Sequence, residues 1–314
     1  MIDATLVIAA YNAEATLSRS IQSALAQTGI RPEIIIVDDA SQDQTACKAR
    51  TFPGVQVDRL IRNGGPAAAR NRALELATAE WIAILDADDT TRPDRLSNMI
   101  RLAKQTGADV VLGNFVPVTP DGSAVEGSAF LSETDVTDGT LLSLEDYVAR
   151  NMVRHDAPSL GYLKPLFRKS FLDREGLQYD ETLRNGEDCH LIFEALAKGA
   201  KVVVSMSPDY LYCVRPGSVS HRANPDHIQS LINADTRFLN KYQDSLSART
   251  KMLFAQRRTA LTDMMRSEQA ISALKNRDLR RILSIFAARP RTAIKVSRQM
   301  TEAVAKRLKR RNVF

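Results

Sequence analysis

A chain of 314 residues that is 44% hydrophobic and 25% charged holds enough apolar material for a large buried core and too much for a disordered segment. Cys47, Cys189 and Cys213 lack a close CxxC pairing, which argues against a disulfide framework or a thiol zinc site, and no stretch reaches the about 18 continuous apolar residues of a membrane span. The formal net charge of +6 is concentrated at residues 281–314, where ten Lys and Arg face Glu302 alone, so the remainder is mildly acidic and need not bind a polyanion.

In chain order, residues 5–10 (TLVIAA) read as a short buried strand, and Leu17, Ile21, Ala24 and Leu25 recur behind it at helical spacing. The apolar run is too short for a signal h-region, so a cytoplasmic or membrane-peripheral protein is expected. Residues 33–39 (EIIIVDD) form a second strand, Ser41 and Asp43 are expected at the start of the following helix, and residues 55–60 are a third strand. Residues 65–77 place Pro66 in the first turn of a helix; a strand at 81–85, a helix at 93–105 and a strand at 108–115 (ADVVLGNF) follow. The alternation predicts an α/β fold, a doubly wound, mostly parallel sheet with right-handed crossovers. Beyond Pro225 the strand signals stop, which divides the chain into a sheet domain, 1–224, and a helical, basic region, 225–314, interrupted at Pro290.

In such sheets ligands bind beyond the carboxyl ends of the strands. Polar residues collect at those ends: Tyr11 and Asn12, Asp38 and Asp39, residues 63–66, and Asp86, Asp88 and Asp89. Carboxylates crowded on one rim repel one another unless a cation neutralises them, and a divalent metal is the economical solution. Asp86 and Asp88 flank the small Ala87 as a DxD triplet whose acids face the same way, hard oxygen donors suited to Mg²⁺ or Mn²⁺ beside a diphosphate. Asp89 is read as a cap for the turn before Pro93. Tyr11 alone would be a rim aromatic; paired with Asp39 it suits a pyrimidine base, the ring stacking and the carboxylate accepting the imide N–H. Asp38, on the opposite pleat, is expected to be structural. Gly64 and Gly65 permit close approach of a ligand to the backbone, and Arg70, about one turn into the next helix, can reach a phosphate, although the GK[ST] ending of a P-loop is absent. Further on, Asn185 and Gly186 form a turn and Glu187 and Asp188 open a helix. The helix dipole alone accounts for acids in a first turn.

The stretches VIAAYNAEATL, IIIVDDASQDQT, RNGGPAAARNRAL, WIAILDADD and GEDCHLIFEALAKGA, in this order across roughly residues 5–221, together resemble a family 2 glycosyltransferase of the GT-A fold, the bacterial polysaccharide-building type. The resemblance implies an inverting, Mg²⁺- or Mn²⁺-dependent transfer from a nucleotide-diphosphate sugar, with a nucleotide-sugar-binding half at 1–115 and an acceptor half at 116–224. It implies Ala9, Tyr11, Glu14, Asp39, Gly65, Arg70, Asp86 and Ala87 on the donor, Asp88 as direct metal ligand and His221 as a further one. It places Asp188 as general base with Glu187 in support, and Tyr162, Lys164 and Arg215 on the acceptor or diphosphate side, Lys164 being otherwise plain surface. Ala9 stands where members often have Pro, which puts little in doubt. His155, before Asp156, is a weaker candidate.

The same resemblance points to assembly of an exopolysaccharide of the succinoglycan-like kind from UDP-glucose on a lipid-linked acceptor. The basic helix around Phe286 would then lie on the anionic inner leaflet, its alternative being a solvated face. Two other classes fit less well. A sugar nucleotidyltransferase would carry a GxGxRL-type loop where AYNAEATL stands, and a nucleic-acid binder would interleave aromatics with its charge, whereas residues 281–314 have only Phe286 and Phe314. No nucleic-acid partner is expected.

Overall fold

The structure, a computed structural model, describes residues 2–125, 129–152, 158–215, 224–278 and 280. Strand–helix alternation runs through β1 (Ala4–Ala10), α1 (Leu17–Leu25), β2 (Pro32–Asp38), α2 (Thr45–Arg50), β3 (Val55–Arg59), α3 (Pro66–Leu76) and β4 (Trp81–Ile84). Then come β5 (Thr90–Thr91), α4 (Arg95–Thr106), β6 (Val110–Val118), β7 (Leu141–Leu142), α5 (Leu144–Arg150), β8 (Lys164–Arg168), α6 (Lys169–Glu175), α7 (Glu187–Ala197) and β9 (Val202–Cys213). Two helices follow, α8 (Pro225–Lys241) and α9 (Ala248–Lys275).

The strands form one sheet in the order β3-β2-β1-β4-β8-β6-β9-β5, with β7 paired to β9. The β1, β2 and β4 runs are almost wholly buried, as parallel strands covered by helices on both faces must be. Their register decides where the chain leaves the sheet. Ala10 lies opposite Asp38 and Val7 opposite Ile84, so the residues that follow each strand emerge side by side on one rim. Strand β8 enters between β4 and β6 antiparallel to both. Its first residue, Lys164, therefore stands at the same rim as the carboxyl ends of the parallel strands.

One local expectation is corrected. Asp43 serves the start of helix α2 as expected, its Oδ1 accepting the N–H of the first residue, Thr45 (3.0 Å), but Ser41 does not cap the helix. The Ser41 hydroxyl accepts the Asn12 N–H (2.9 Å) and the Asp43 carboxylate accepts the Glu14 N–H (3.1 Å). Both residues thus pin the loop after β1, where Asn12 adopts a left-handed φ of 48° that asparagine tolerates better than most.

Helices α8 and α9 pack on α7 through rings: Phe254 lies 5.3 Å from Phe193 and 5.1 Å from Phe238, all three fully buried. Burial of each contributes roughly 1.5–3 kcal/mol. Among the described residues no helix is long and apolar enough to cross a membrane. The expected break at Pro290 and the basic patch around Phe286 lie outside the described residues.

Candidate active site

Strand β4 ends against β1, with the Leu85 N–H on Val7 O, and the acidic loop begins there. It is tied down from two directions. From α1 and the residue before it, Ser20 Oγ donates to Asp89 O (2.7 Å) and Thr16 Oγ1 to Ala87 O (2.8 Å). From β9, the Tyr210 hydroxyl accepts the Asp86 N–H (3.1 Å) and donates to Asp89 Oδ2 (2.6 Å), while the Cys213 N–H reaches Asp89 Oδ1 (2.7 Å). Asp89 is thus the anchor of the loop on β9 and not the cap of a turn before Pro93.

The crowded carboxylates meet three protein cations. Arg70, one turn into α3 and 4% exposed, gives Nη2 to Asp86 Oδ1 (2.8 Å) and Nη1 to both Glu187 Oε1 (2.5 Å) and Asp188 Oδ1 (3.2 Å). A planar fork with fixed donors is the group that can serve acids from two elements at once. The Lys164 ammonium contacts Asp86 Oδ2 at 2.5 Å and is buried, so it is not a surface lysine. Arg215 Nη2 contacts Asp88 Oδ2 at 2.7 Å from a half-exposed position. Burial opposes charge on Asp86, but Lys164 and Arg70 outweigh it and hold the carboxyl down to about 2. Burial likewise opposes charge on Lys164, and Asp86, Asp188 and Asp89 together raise it above its ordinary value. For Asp88, burial and the Asp86 charge raise the carboxyl, with Arg215 only a partial offset.

At the β2 end of the rim, Asp39 accepts the N–H groups of Gly64 (2.6 Å) and Gly65 (2.8 Å). Gly65, at φ 90°, is where a side chain would be strained, and its open face is covered by Arg184, whose Nη1 would lie 2.3 Å from an added Cβ. Tyr11 is exposed beyond β1, Ala9 is half-buried within it opposite Val37, and the Glu14 carboxylate accepts the Gln44 N–H at 3.2 Å. Asp38 is fully buried, 3.3 Å from Arg59 Nε.

An aromatic row leads outward from β9. Tyr212 lies 5.3 Å from Phe115, Phe115 stacks on Phe130 at 4.3 Å, and Phe130 meets the edge of the exposed Tyr162 at 6.1 Å. Sequence reading singled out Tyr162 but missed Phe115, Phe130, Tyr212 and Arg184, because they come from separate segments that share no local spacing. His221, His155 and Asp156 lie outside the described residues.

The model of the family described as Glycosyl transferase family 2 matches residues 5–147. Over 243 residues the chain is 41% identical to the succinoglycan biosynthesis protein ExoO of Rhizobium meliloti, a span of 76% of this chain and 69% of that protein. The chain belongs to glycosyltransferase family 2. Over a shorter stretch of 114 residues, 35% of this chain and 45% of the relative, it is 35% identical to the Escherichia coli UDP-Glc:alpha-D-GlcNAc-diphosphoundecaprenol beta-1,3-glucosyltransferase WfgD. Among solved structures, residues 1–349 of S. aureus TarS in complex with UDP-GlcNAc are similar at a TM-score of 0.67, over 91% of this chain and 80% of that one. At 19% identity this likeness is one of fold, and the fold is GT-A, as the resemblance implied, with a helical C-terminal part where the strand signals stop. The family 2 protein described here is a glycosyltransferase. Its match to the family model ends at residue 147, before Lys164, Glu187, Asp188 and Arg215.

Proposed function

We propose that this glycosyltransferase moves glucose, with inversion, from UDP-glucose to a growing, lipid-linked bacterial exopolysaccharide. The observation that carries the reading is Arg70: one guanidinium touches both the DxD loop, at Asp86, and the candidate base, Asp188. Donor phosphates and acceptor proton would therefore be handled within reach of one group. The succinoglycan biosynthesis role of ExoO, the diphosphoundecaprenol-linked acceptor of WfgD and the UDP-GlcNAc bound to TarS support the polysaccharide product, the lipid-linked acceptor and the UDP-sugar donor in turn.

The residues fit Mg²⁺ or Mn²⁺. Asp86 and Asp88 offer hard carboxylate oxygens from one loop, and among the described residues the ion pair of Asp88 is with the half-exposed Arg215, which offsets burial and the Asp86 charge only in part. Among the described residues no group of three His, Cys, Asp or Glu is gathered to hold a metal, so diphosphate oxygens and water would complete the shell, as is usual for Mg²⁺. Asp88 would be the direct ligand, with Asp86 toward the ribose or the ion's waters. When bound, the ion stabilises charge on the departing diphosphate.

Asp188 takes the proton of the attacking hydroxyl as its oxygen reaches C1 from the face opposite the diphosphate. The two acids at the start of α7 are not equivalent. Glu187 is locked by the shorter contact to Arg70 (2.5 against 3.2 Å), and its side chain is less exposed (9% against 13%). Asp188 retains more freedom to meet an acceptor. Tyr11 and Asp39 would hold the uracil, and Tyr162 the acceptor saccharide. No covalent enzyme intermediate is required.

The test is Asp88→Asn. It is expected to weaken Mn²⁺-dependent UDP binding in calorimetry by about 1.5–3 kcal/mol, on the order of 10–100-fold, the worth of one charged contact. The melting temperature without nucleotide should stay the same or rise, since a repelling charge has gone. Unchanged metal-dependent affinity would remove Asp88 from the site.

The basic residues after Arg280 would hold the enzyme on the cytoplasmic face of the membrane, where each Lys or Arg near an anionic surface adds about 1 kcal/mol. Truncation after Arg280 is expected to reduce co-sedimentation with phosphatidylserine vesicles at low salt and to spare UDP binding. Equal sedimentation of the two forms would exclude this role.

A further inference from the structure

Between α7 and the C-terminal helices lies a buried polar network that the site just described does not use. Arg257 of α9, 5% exposed, directs Nε at Asp235 of α8, 3.0 Å from Oδ2 and 3.4 Å from Oδ1. Asp235 is 1% exposed, and its Oδ1 stands 3.1 Å from His190 Nε2, an ion-pair distance without hydrogen-bond alignment. The same guanidinium gives Nη1 to the backbone carbonyl of Asn151. Asn151 is a relay: its Nδ2 holds Tyr147 O (2.7 Å), and its Oδ1 accepts both Ser159 Oγ (2.7 Å) and the Gly161 N–H (2.6 Å).

The two arms of Arg257 end at Asp235 and Asn151, and through them meet the two segments that carry the acceptor-side residues. One arm reaches His190, whose N–H closes the first turn of α7 on Gly186 O at 3.1 Å, two residues from Asp188. The other reaches Gly161, next to Tyr162 and three residues before Lys164. The segments also touch each other, since a Cβ on Gly161 would lie 3.2 Å from Cys189 Sγ. Cohesion alone does not call for this network. A buried ion pair is often no more stabilising than apolar side chains of the same volume. What it adds is a fixed angle between the elements it joins, because a guanidinium satisfies two acceptors only in one orientation.

We infer that Arg257, with Asp235, is a positioning residue for sugar transfer. The pair sets the first turn of α7 and residues 159–162 against the DxD loop, so α8 and α9 belong to the catalytic framework. This rests on the assignment of Asp188 as the base.

The test uses the full chain with two replacements. Arg257→Lys keeps the charge beside Asp235 but cannot span both acceptors. The double change Arg257→Met with Asp235→Leu exchanges the pair for apolar side chains of similar volume and so protects the fold if the single variant is unstable. The double variant is expected to melt near the wild-type temperature and to bind UDP with Mn²⁺ within about twofold, a change of under half a kcal/mol. It should nevertheless exchange amide hydrogens faster at residues 159–163 and 187–190 alone, and release UDP from UDP-glucose about 10–100-fold more slowly, as misplacement of a reacting group by an ångström does. Lys241→Ala, which removes the exposed contact to Glu194 at the far end of α7, should change neither. Wild-type exchange and turnover in the double variant would overturn the inference, as would exchange raised uniformly across the sheet. If the wild-type enzyme releases no UDP from UDP-glucose, the donor assignment fails and the exchange pattern decides the coupling: faster local exchange supports it, unchanged exchange sinks it.

Discussion

Asp188→Asn is expected to lower turnover by about 10²–10⁴-fold, the usual worth of a general base, and to leave Mn²⁺-dependent UDP affinity near the wild-type value. The amide keeps the shape and the 3.2 Å approach to Arg70 but cannot accept the acceptor's proton. A residue that only answered the helix dipole would behave differently, losing a few tenths to about 1 kcal/mol of stability and none of the rate. Glu187→Gln is the control within the same turn. It gives up the shorter and more buried contact to Arg70, so its cost should fall on stability more than on turnover. Transfer at near wild-type rate by the Asp188 variant, with a large loss in the Glu187 variant, would move the base to Glu187.

The second large effect belongs to Arg70→Met. The methionine fills most of the volume but leaves Asp86, Glu187 and Asp188 without their common partner. Removing one member of a buried ion pair costs about 3–5 kcal/mol. In a chain of this size that is a fall of roughly 10 °C in melting temperature. The effect carries a pH dependence whose sign is set by Asp86. Its carboxyl lies at about 2 in the fold against an ordinary 3.8, so it contributes stability above about pH 4, and that contribution is lost as the pH falls through 2. The first cause of any shift there is burial, which raises the carboxyl; Lys164 and then Arg70 reverse it. Without Arg70 the reversal is smaller, so the deficit of the variant should be widest above about pH 4 and narrow as the pH falls from there toward 2. A variant that melts within about 2 °C of wild type at pH 7, under 1 kcal/mol, would show that the three acids do not depend on this guanidinium.

The parts of the fold that could be read from sequence are those whose cause is local. β1, β2 and β4 are continuous apolar runs because both of their faces are covered, and the rule that ligands gather beyond the carboxyl ends of such strands brings Tyr11, Asp39 and the DxD loop to one rim. Ser41 shows where local reading fails. A serine ahead of a helical run has the pattern of an N-cap, yet its hydroxyl accepts an N–H from Asn12 on the neighbouring loop. Asp89 fails for the same reason, its partners being Tyr210 and Cys213 at the far end of the chain order. Lys164 looked equally like surface and site, because the strand that carries it was not read from the sequence and its partner Asp86 belongs to a distant segment. The Arg257–Asp235 pair left no signal at all: neither residue breaks the helical pattern it sits in.

That reversed strand has a consequence for how the enzyme could be changed. β8 is gripped on both edges, by β4 and by β6, and this grip holds Lys164 against Asp86 whatever the chain does on its way there. Within the connection between β6 and β8, the exposed residues 120–124 can then be lengthened, shortened or exchanged while the pair beneath keeps its register, whereas β7, α5 and residues 159–162 are tied to β9 and to the Arg257 network. Loop grafting at this place is therefore a route to new acceptors that leaves the handling of the donor untouched.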